Sequence, residues 1–169
     1  MKLTVFSDSH GNMENVLRIF DDSPADRYLF CGDGLTDAED AAHLRDVPLT
    51  AVAGNCDYGS TARTEWLLEL EGVRILLTHG HGYAVKQGTG ALLRRARELE
   101  AQVVLFGHTH QRLLEEADGV LLINPGSCRD ERYYAELEVE AGQILTARLC
   151  LGSPRITRRQ KPTWWQPSR

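Results

Sequence analysis

Short apolar runs recur along the first half of the chain, each followed by a segment whose apolar residues lie three and four apart. Leu3-Thr4-Val5-Phe6 reads as a buried strand, and Asn12 to Phe20 as a helix with Met13, Val16, Leu17 and Phe20 on one face. Arg27 to Cys31 predicts a second strand, Thr36 to Arg45 a second helix and Leu49 to Ala53 a third strand. Strands that alternate with helices imply crossover connections and parallel pairing. From Thr64 the pattern changes. Glu65 to Leu70 and Val73 to Thr78 flank Glu71-Gly72, an acidic-Gly hairpin signal. A third helix over about Thr89 to Glu100 buries Leu92, Leu93, Ala96 and Leu99. Val103–Phe106, Leu113–Glu116, Val120–Ile123, Arg132–Glu140 and Ile144–Leu151 then read as strands joined mostly by tight turns. Parallel at first and hairpin-rich later, the pattern predicts an α/β protein with two packed sheets and helices outside.

Composition narrows this further. No apolar run approaches the ~18 residues of a membrane span, and the stretch before Asp8 is too short for a signal peptide. The four cysteines, Cys31, Cys56, Cys128 and Cys150, form no C-x-x-C pair, which argues against a thiolate zinc site and fits reduced thiols in a cytoplasmic protein. All 24 acidic residues precede Arg155, whereas five of the 19 basic ones lie at or beyond it, so residues 1–154 carry −10 and residues 155–169 carry +5. The expected organisation is one domain over 1–154 and a basic tail over 155–169. An acidic body binds polyanions poorly, since phosphate contacts need Lys and Arg. The tail adds Trp164-Trp165 to its charge, a pairing able to grip single-stranded nucleic acid; packing on the body, or on a neighbouring subunit of a homo-oligomer, is the blander reading.

The candidate chemistry sits at strand ends. Five apolar runs stop at a Gly or Ser beside a metal-capable side chain: Ser7-Asp8-Ser9-His10, Gly32-Asp33, Gly54-Asn55, His79-Gly80-His81 and Gly107-His108-Thr109-His110. Ligands of sheets with parallel strands bind in the crevice at the strands' carboxyl ends, so these segments are expected to converge there. Five of the six histidines fall in them; only His43, on a predicted helix, does not. Two carboxylates, an amide oxygen and at least four imidazoles suit Mn²⁺, Fe, Zn²⁺ or Co²⁺ rather than Ca²⁺ or a thiolate-bound metal. The set is too large for one ion and fills two if a carboxylate bridges.

The series Asp8-x-His10, Gly32-Asp33, Gly54-Asn55, His79-Gly80-His81 and Gly107-His108-x-His110 resembles the calcineurin-like metallophosphoesterases over roughly residues 1–151. Gly54-Asn55-Cys56-Asp57 and Asn124-Pro125-Gly126-Ser127 make it most similar to the small phosphodiesterases of the YfcE/MJ0936 type. The resemblance implies a four-layer α/β/β/α sandwich of two mixed sheets and a phosphoesterase centre of two divalent ions, Mn²⁺ first, with Ni²⁺ also common in this group. It places Asp8, His10, Asp33 and His110 on one ion and Asp33, Asn55, His79 and His108 on the other. Two ions about 3.5–4 Å apart polarise phosphoryl oxygens and lower the pKa of a bridging water. They would also give an acidic body a positive crevice.

Where larger members of the superfamily carry a His after Gly-Asn, thought to protonate the leaving group, this chain has Cys56. His81, Cys56 or water remain as the proton donor. Asn12 is read as a helix cap or a phosphate contact, with Asn55 as a second substrate contact, and Asn124 to Ser127 as a turn near the site. The substrate class implied is a phosphate ester, a small molecule ahead of nucleic acid, with no membrane partner. A nuclease or nucleotide phosphatase, and a Vps29-like interaction scaffold of little activity, are the alternatives.

Overall fold

Alternation within the strands builds the layers. In the computed structural model, which describes residues 1–153, Leu3 and Val5 of β1 (Lys2–Phe6) face one side of their sheet and Phe6 the other. Successive strand side chains point to opposite faces, so one apolar strand serves two cores. The same division splits Ile75 and Leu77 from Leu76 in β5 (Val73–Thr78), and Val103 and Leu105 from Val104 in β6 (Val103–Leu105).

The first sheet contains β1, β2 (Arg27–Phe30), β3 (Leu49–Ala51), β9 (Tyr133–Glu140) and β10 (Gln143–Leu151), in the order β10-β9-β1-β2-β3. The second has the order β4-β5-β6-β8-β7, with β4 (Glu65–Leu70), β7 (Leu113–Ala117) and β8 (Val120–Asn124). Strands β1, β2 and β3 pair in parallel, as do β5, β6 and β8; the outer pairs are antiparallel, so both sheets are mixed. The hairpins β4–β5, β7–β8 and β9–β10 turn through Glu71-Gly72, Asp118-Gly119 and Ala141-Gly142. Both residues of each turn have positive φ, the conformation that matches strand twist in a two-residue loop.

Three cores lie between four layers. Leu3, Val5, Leu29, Ile75, Leu77, Leu105 and Ile123 fill the space between the sheets. Helices α1 (Met13–Asp22) and α2 (Leu35–Arg45) cover the first sheet through Val16, Ile19, Phe20, Leu35 and Ala38 against Phe6, Tyr28 and Phe30. Helix α3 (Gly90–Glu98) covers the second through Leu92 and Ala96 against Leu76, Val104 and Leu122. The expected four-layer sandwich is the architecture found.

Element ends differ from expectation by one or two residues. The strand expected over Leu49–Ala53 stops at Ala51, because the chain there begins its turn into the site. Two short 3₁₀ turns, His81–Tyr83 and Val85–Gln87, lie in a Gly- and His-rich stretch with no apolar period to announce them. All four cysteines are free, Cys31 and Cys128 are buried, and His43 is exposed. Among the described residues no helix is long and apolar enough to cross a membrane. The basic tail, 155–169, falls outside the described residues.

Leu105 is fully buried between the sheets. Leu105→Ala is expected to lower the free energy of unfolding by about 2–5 kcal/mol in a denaturant titration; an unchanged midpoint would mean that the inter-sheet layer is not the dominant core.

Candidate metal centre

Strands β1, β2, β3, β5 and β6 all run in the parallel sense, and the five motifs leave their carboxyl ends into one crevice shared by both sheets. Three side chains form its floor: Asp8, Asp33 and His79 are buried. His10 and His108 are half-buried, and Asn55 and His110 stand at the rim.

Two groups of donor atoms meet around Asp33. In the first, Asp8, His10 and His110 bring one ligand atom each within 4.8 Å of one another; in the second, Asp33, His79 and His108 do the same. His110 Nε2 is 3.1 Å and His10 Nε2 3.5 Å from Asp8 Oδ1. Asp33 Oδ2 lies between the groups, 3.7 Å from His10 Nε2 and 3.3 Å from His79 Nε2. Asn55 Oδ1 joins the second group at 3.0 Å from His79 Nε2. All seven residues singled out as metal ligands therefore share the crevice.

Hydrogen bonding tests whether these atoms suit a cation. His79 Nδ1 is 2.7 Å from the Cys31 carbonyl oxygen, which only accepts, so Nδ1 carries the proton. Nε2 is turned to Asp33 Oδ2, Asn55 Oδ1 and, at 3.2 Å, His108 Nδ1; it carries a proton in the imidazolium and offers a lone pair to a cation in the neutral ring. A carboxylate, an amide oxygen and two imidazoles around one point form a set in which a proton or a metal ion supplies the positive charge. The titration shifts describe the proton in that place. Burial alone would raise Asp33, but the His79 imidazole and the Cys56 N–H outweigh it and hold the carboxyl well below the usual range. Burial alone would lower His79, and its bond to Asp33 with the charge of Asp8 reverses that. Burial pulls His81 and His108 down, aided by His79. The donor set fits divalent ions bound by oxygen and nitrogen, and the Cys31 carbonyl orients His79 as an outer-shell acceptor does in metal sites.

The backbone is bent to make this possible. Asp8, His10, Asp33, His108 and His110 all have φ between 41° and 67°, the left-handed region that non-glycine residues rarely occupy. Two glycines permit the close approach. A Cβ on Gly54 would overlap Asp33 Oδ1 and lie 2.6 Å from Asp33 N, while one on Gly107 would overlap Ser7 Oγ and lie 2.5 Å from Asp8 Oδ2. Asp8 is further held by the Ser7 hydroxyl and by the His108 N–H, both donating to Oδ2.

The remaining candidates separate. Asn12 caps α1, its Oδ1 accepting from Asn15 N at 3.0 Å, and its Nδ2 donates to the Arg129 carbonyl at 2.6 Å. Both ends of that amide are engaged, so a phosphate contact would compete with one of them. Asn124 donates to the Gly107 carbonyl and to Thr109 Oγ1, and Ser127 Oγ to the Asp8 carbonyl. The Asn124–Ser127 turn thus steadies two of the ligand loops. The Cys56 sulfur lies within 4.8 Å of donor atoms of His10 and Asp33, and burial with the Asp33 charge raises its thiol pKa. The His81 ring centroid is 5.3 Å from that of His79 and 6.2 Å from that of His108. Sequence reasoning gave no role to Asp37, whose Oδ2 accepts from Ser9 Oγ and Gly11 N, or to Asp57. Only their nearness to the motifs could have marked them.

Known proteins share these features. Residues 1–142 match the calcineurin-like phosphoesterase superfamily domain. The chain is 37% identical over 131 residues to the probable metallophosphoesterase YsnB of Bacillus subtilis, covering 76% of each protein. It is 31% identical over 147 residues to the phosphodiesterase MJ0936 of Methanocaldococcus jannaschii, covering 76% of this chain and 84% of that protein. A solved archaeal phosphodiesterase superposes with a TM-score of 0.69 at 25% identity, over 89% of this chain and 99% of the other. The fold recurs in zinc-complexed Vps29 of Entamoeba histolytica, with a TM-score of 0.70 at 18% identity over 89% and 98% of the two chains. Such membership implies divalent metal ions and a phosphoester substrate. The chain belongs to the calcineurin-like phosphoesterase superfamily.

Proposed function

We propose that this protein is a two-metal phosphodiesterase, with Asp8, His10, Asp33 and His110 holding one ion and Asp33, Asn55, His79 and His108 the other. The observation that carries the reading is the Asp33 carboxylate, buried between two groups of oxygen and nitrogen ligand atoms that come from separate strand ends. Two divalent ions there would polarise the phosphoryl oxygens and lower the pKa of a water between them, supplying the nucleophile for in-line attack on phosphorus; Mn²⁺ is the leading candidate. The residues' own tasks follow from their places. Asp8 and Asp33 neutralise part of the ions' charge and leave the crevice positive, which draws a phosphate to an acidic protein. Asn55 stands exposed at the rim with its Nδ2 donating to Cys56 Sγ at 3.6 Å, a weak bond that a phosphoryl oxygen would replace. The preference for diesters draws its support from relatives named phosphodiesterases. A scaffold would tolerate decay of the ligands; all seven positions here carry competent donors, which supports the enzymatic reading.

Stripping metal with a chelator should abolish hydrolysis of bis-p-nitrophenyl phosphate, and added Mn²⁺ should restore it. Asp33→Asn should lower kcat/KM by about a thousandfold or more, since it weakens both ions at once. Full activity in the chelated protein would refute the two-metal reading.

His81 and Cys56 flank the crevice from opposite groups, which supports both as candidates to protonate the departing oxygen. A series of diesters with increasingly basic leaving groups identifies the donor. The variant that loses its proton donor, His81→Gln or Cys56→Ala, should fall by about 10²-fold or more on the poorest leaving group and change little on the best. Parallel dependence in both variants and the wild type would assign protonation to water.

A further inference from the structure

The geometry points to Asp57 as the positioning residue that locks the bridging carboxylate of Asp33 against the Asn55 loop. Its side chain accepts four backbone N–H groups from two separate loops. Oδ2 takes those of Asp33 at 2.9 Å and Gly54 at 2.7 Å; Oδ1 takes those of Gly34 and Leu35, each at 2.9 Å. The two oxygens thus fasten the β2–α2 loop to the loop leaving β3, which otherwise face each other across Gly32 and Gly54.

Two observations show that this is more than a turn. Gly34, the residue before α2, has no side chain to cap the helix, so its first N–H groups are satisfied from 22 and 23 residues away by Asp57. The Cys56 N–H also donates to Asp33 Oδ1 at 2.8 Å. Asp33 is therefore held at its backbone by the Asp57 side chain and at its carboxylate by the Cys56 backbone. The remaining oxygen, Oδ2, is aimed between His10 and His79. Asp33 also has a φ of 62°, a backbone conformation that needs outside support. Releasing the clamp frees Asp33 N and the Gly54–Asn55 loop together. The loss should fall on the ion held by Asn55, His79 and His108, more than on the one held by Asp8, His10 and His110. Asp57 is half-buried, so water can reach the freed N–H groups and the variant is expected to fold.

The inference rests on the two-metal reading above, and the test keeps the two apart. Mn²⁺ binding is measured by calorimetry and electron paramagnetic resonance in the wild type, Asp57→Ala and the isosteric Asp57→Asn, which retains an acceptor for one pair of N–H groups. Amide hydrogen exchange is followed in the metal-free proteins. Val139→Ala, in a fully buried position of β9 beside Met1 at the end of β1 away from the site, is the control for general loss of stability.

In the wild type, two ions and an exchange-coupled Mn–Mn spectrum are expected. In Asp57→Ala, one of the two dissociation constants should rise by about 10- to 100-fold, the range seen when outer-shell partners of metal ligands are removed. The coupled spectrum should give way to that of a single ion at limiting Mn²⁺. Exchange at Asp33, Gly34, Leu35 and Gly54 should quicken while the core strands stay protected, and Asp57→Asn should fall between. Val139→Ala should keep both affinities. Unchanged exchange in both Asp57 variants would overturn the clamp. Quickened exchange with two unchanged affinities would overturn its role in positioning, as would equal weakening of both ions in Val139→Ala. A wild type that binds fewer than two ions would instead overturn the two-metal reading, with the exchange data still deciding whether the clamp exists.

Discussion

The structure depends on bringing two buried carboxylates and a ring of imidazoles to one point. At the carboxyl ends of the parallel strands, Asp33 Oδ2, Asn55 Oδ1 and His79 Nε2 face one another, and Asp8 Oδ1 faces His10 and His110. With His79 Nδ1 committed to the Cys31 carbonyl, the charge of Asp33 Oδ2 is offset only by a positive centre at His79 Nε2, a proton or a metal ion. Such an arrangement costs free energy in the absence of positive charge, and folding must hold it open. Much of the surrounding structure does so. Left-handed backbone at five of the ligands, the bare Cα atoms of Gly54 and Gly107, and the engaged side chains of Ser7, Asn124 and Ser127 all resist relaxation of the crevice.

The sheets supply the rigidity for this. Because β1, β5 and β6 bury side chains on both faces, the strand ends that carry the motifs are anchored in the inter-sheet core and in a helix-covered layer at once. A site assembled from the ends of such strands is positioned more precisely than one on free loops. The acidic surface then matters little for phosphate, since the local field comes from the few groups at the crevice and whatever cation they hold.

Much of this was legible in the sequence because two periods carried it. Alternation in Leu3 to Phe6 and Val73 to Thr78, helical spacing in Met13 to Phe20, and Glu71-Gly72 placed the elements. Placing five motifs at strand ends then brought seven polar residues to one crevice. What stayed hidden depends on long-range geometry. Left-handed φ at Asp8 or His110 has no signature in side-chain type. Asp57 gave no hint that it reaches Gly34 and Leu35, because a carboxylate after Gly-Asn-Cys reads equally well as a turn. Asn12 proved to be committed to the α1 cap and to Arg129, a partner 117 residues away.

The central claim is that Asp33 stands between two metal ions. Anomalous X-ray scattering from a crystal grown with Mn²⁺, collected on either side of the manganese edge, tests it directly. Two peaks about 3.5–4 Å apart with the Asp33 carboxylate between them are expected, one beside His10 and His110 and one beside His79 and His108. A single peak, or ions bound away from Asp33, would contradict it.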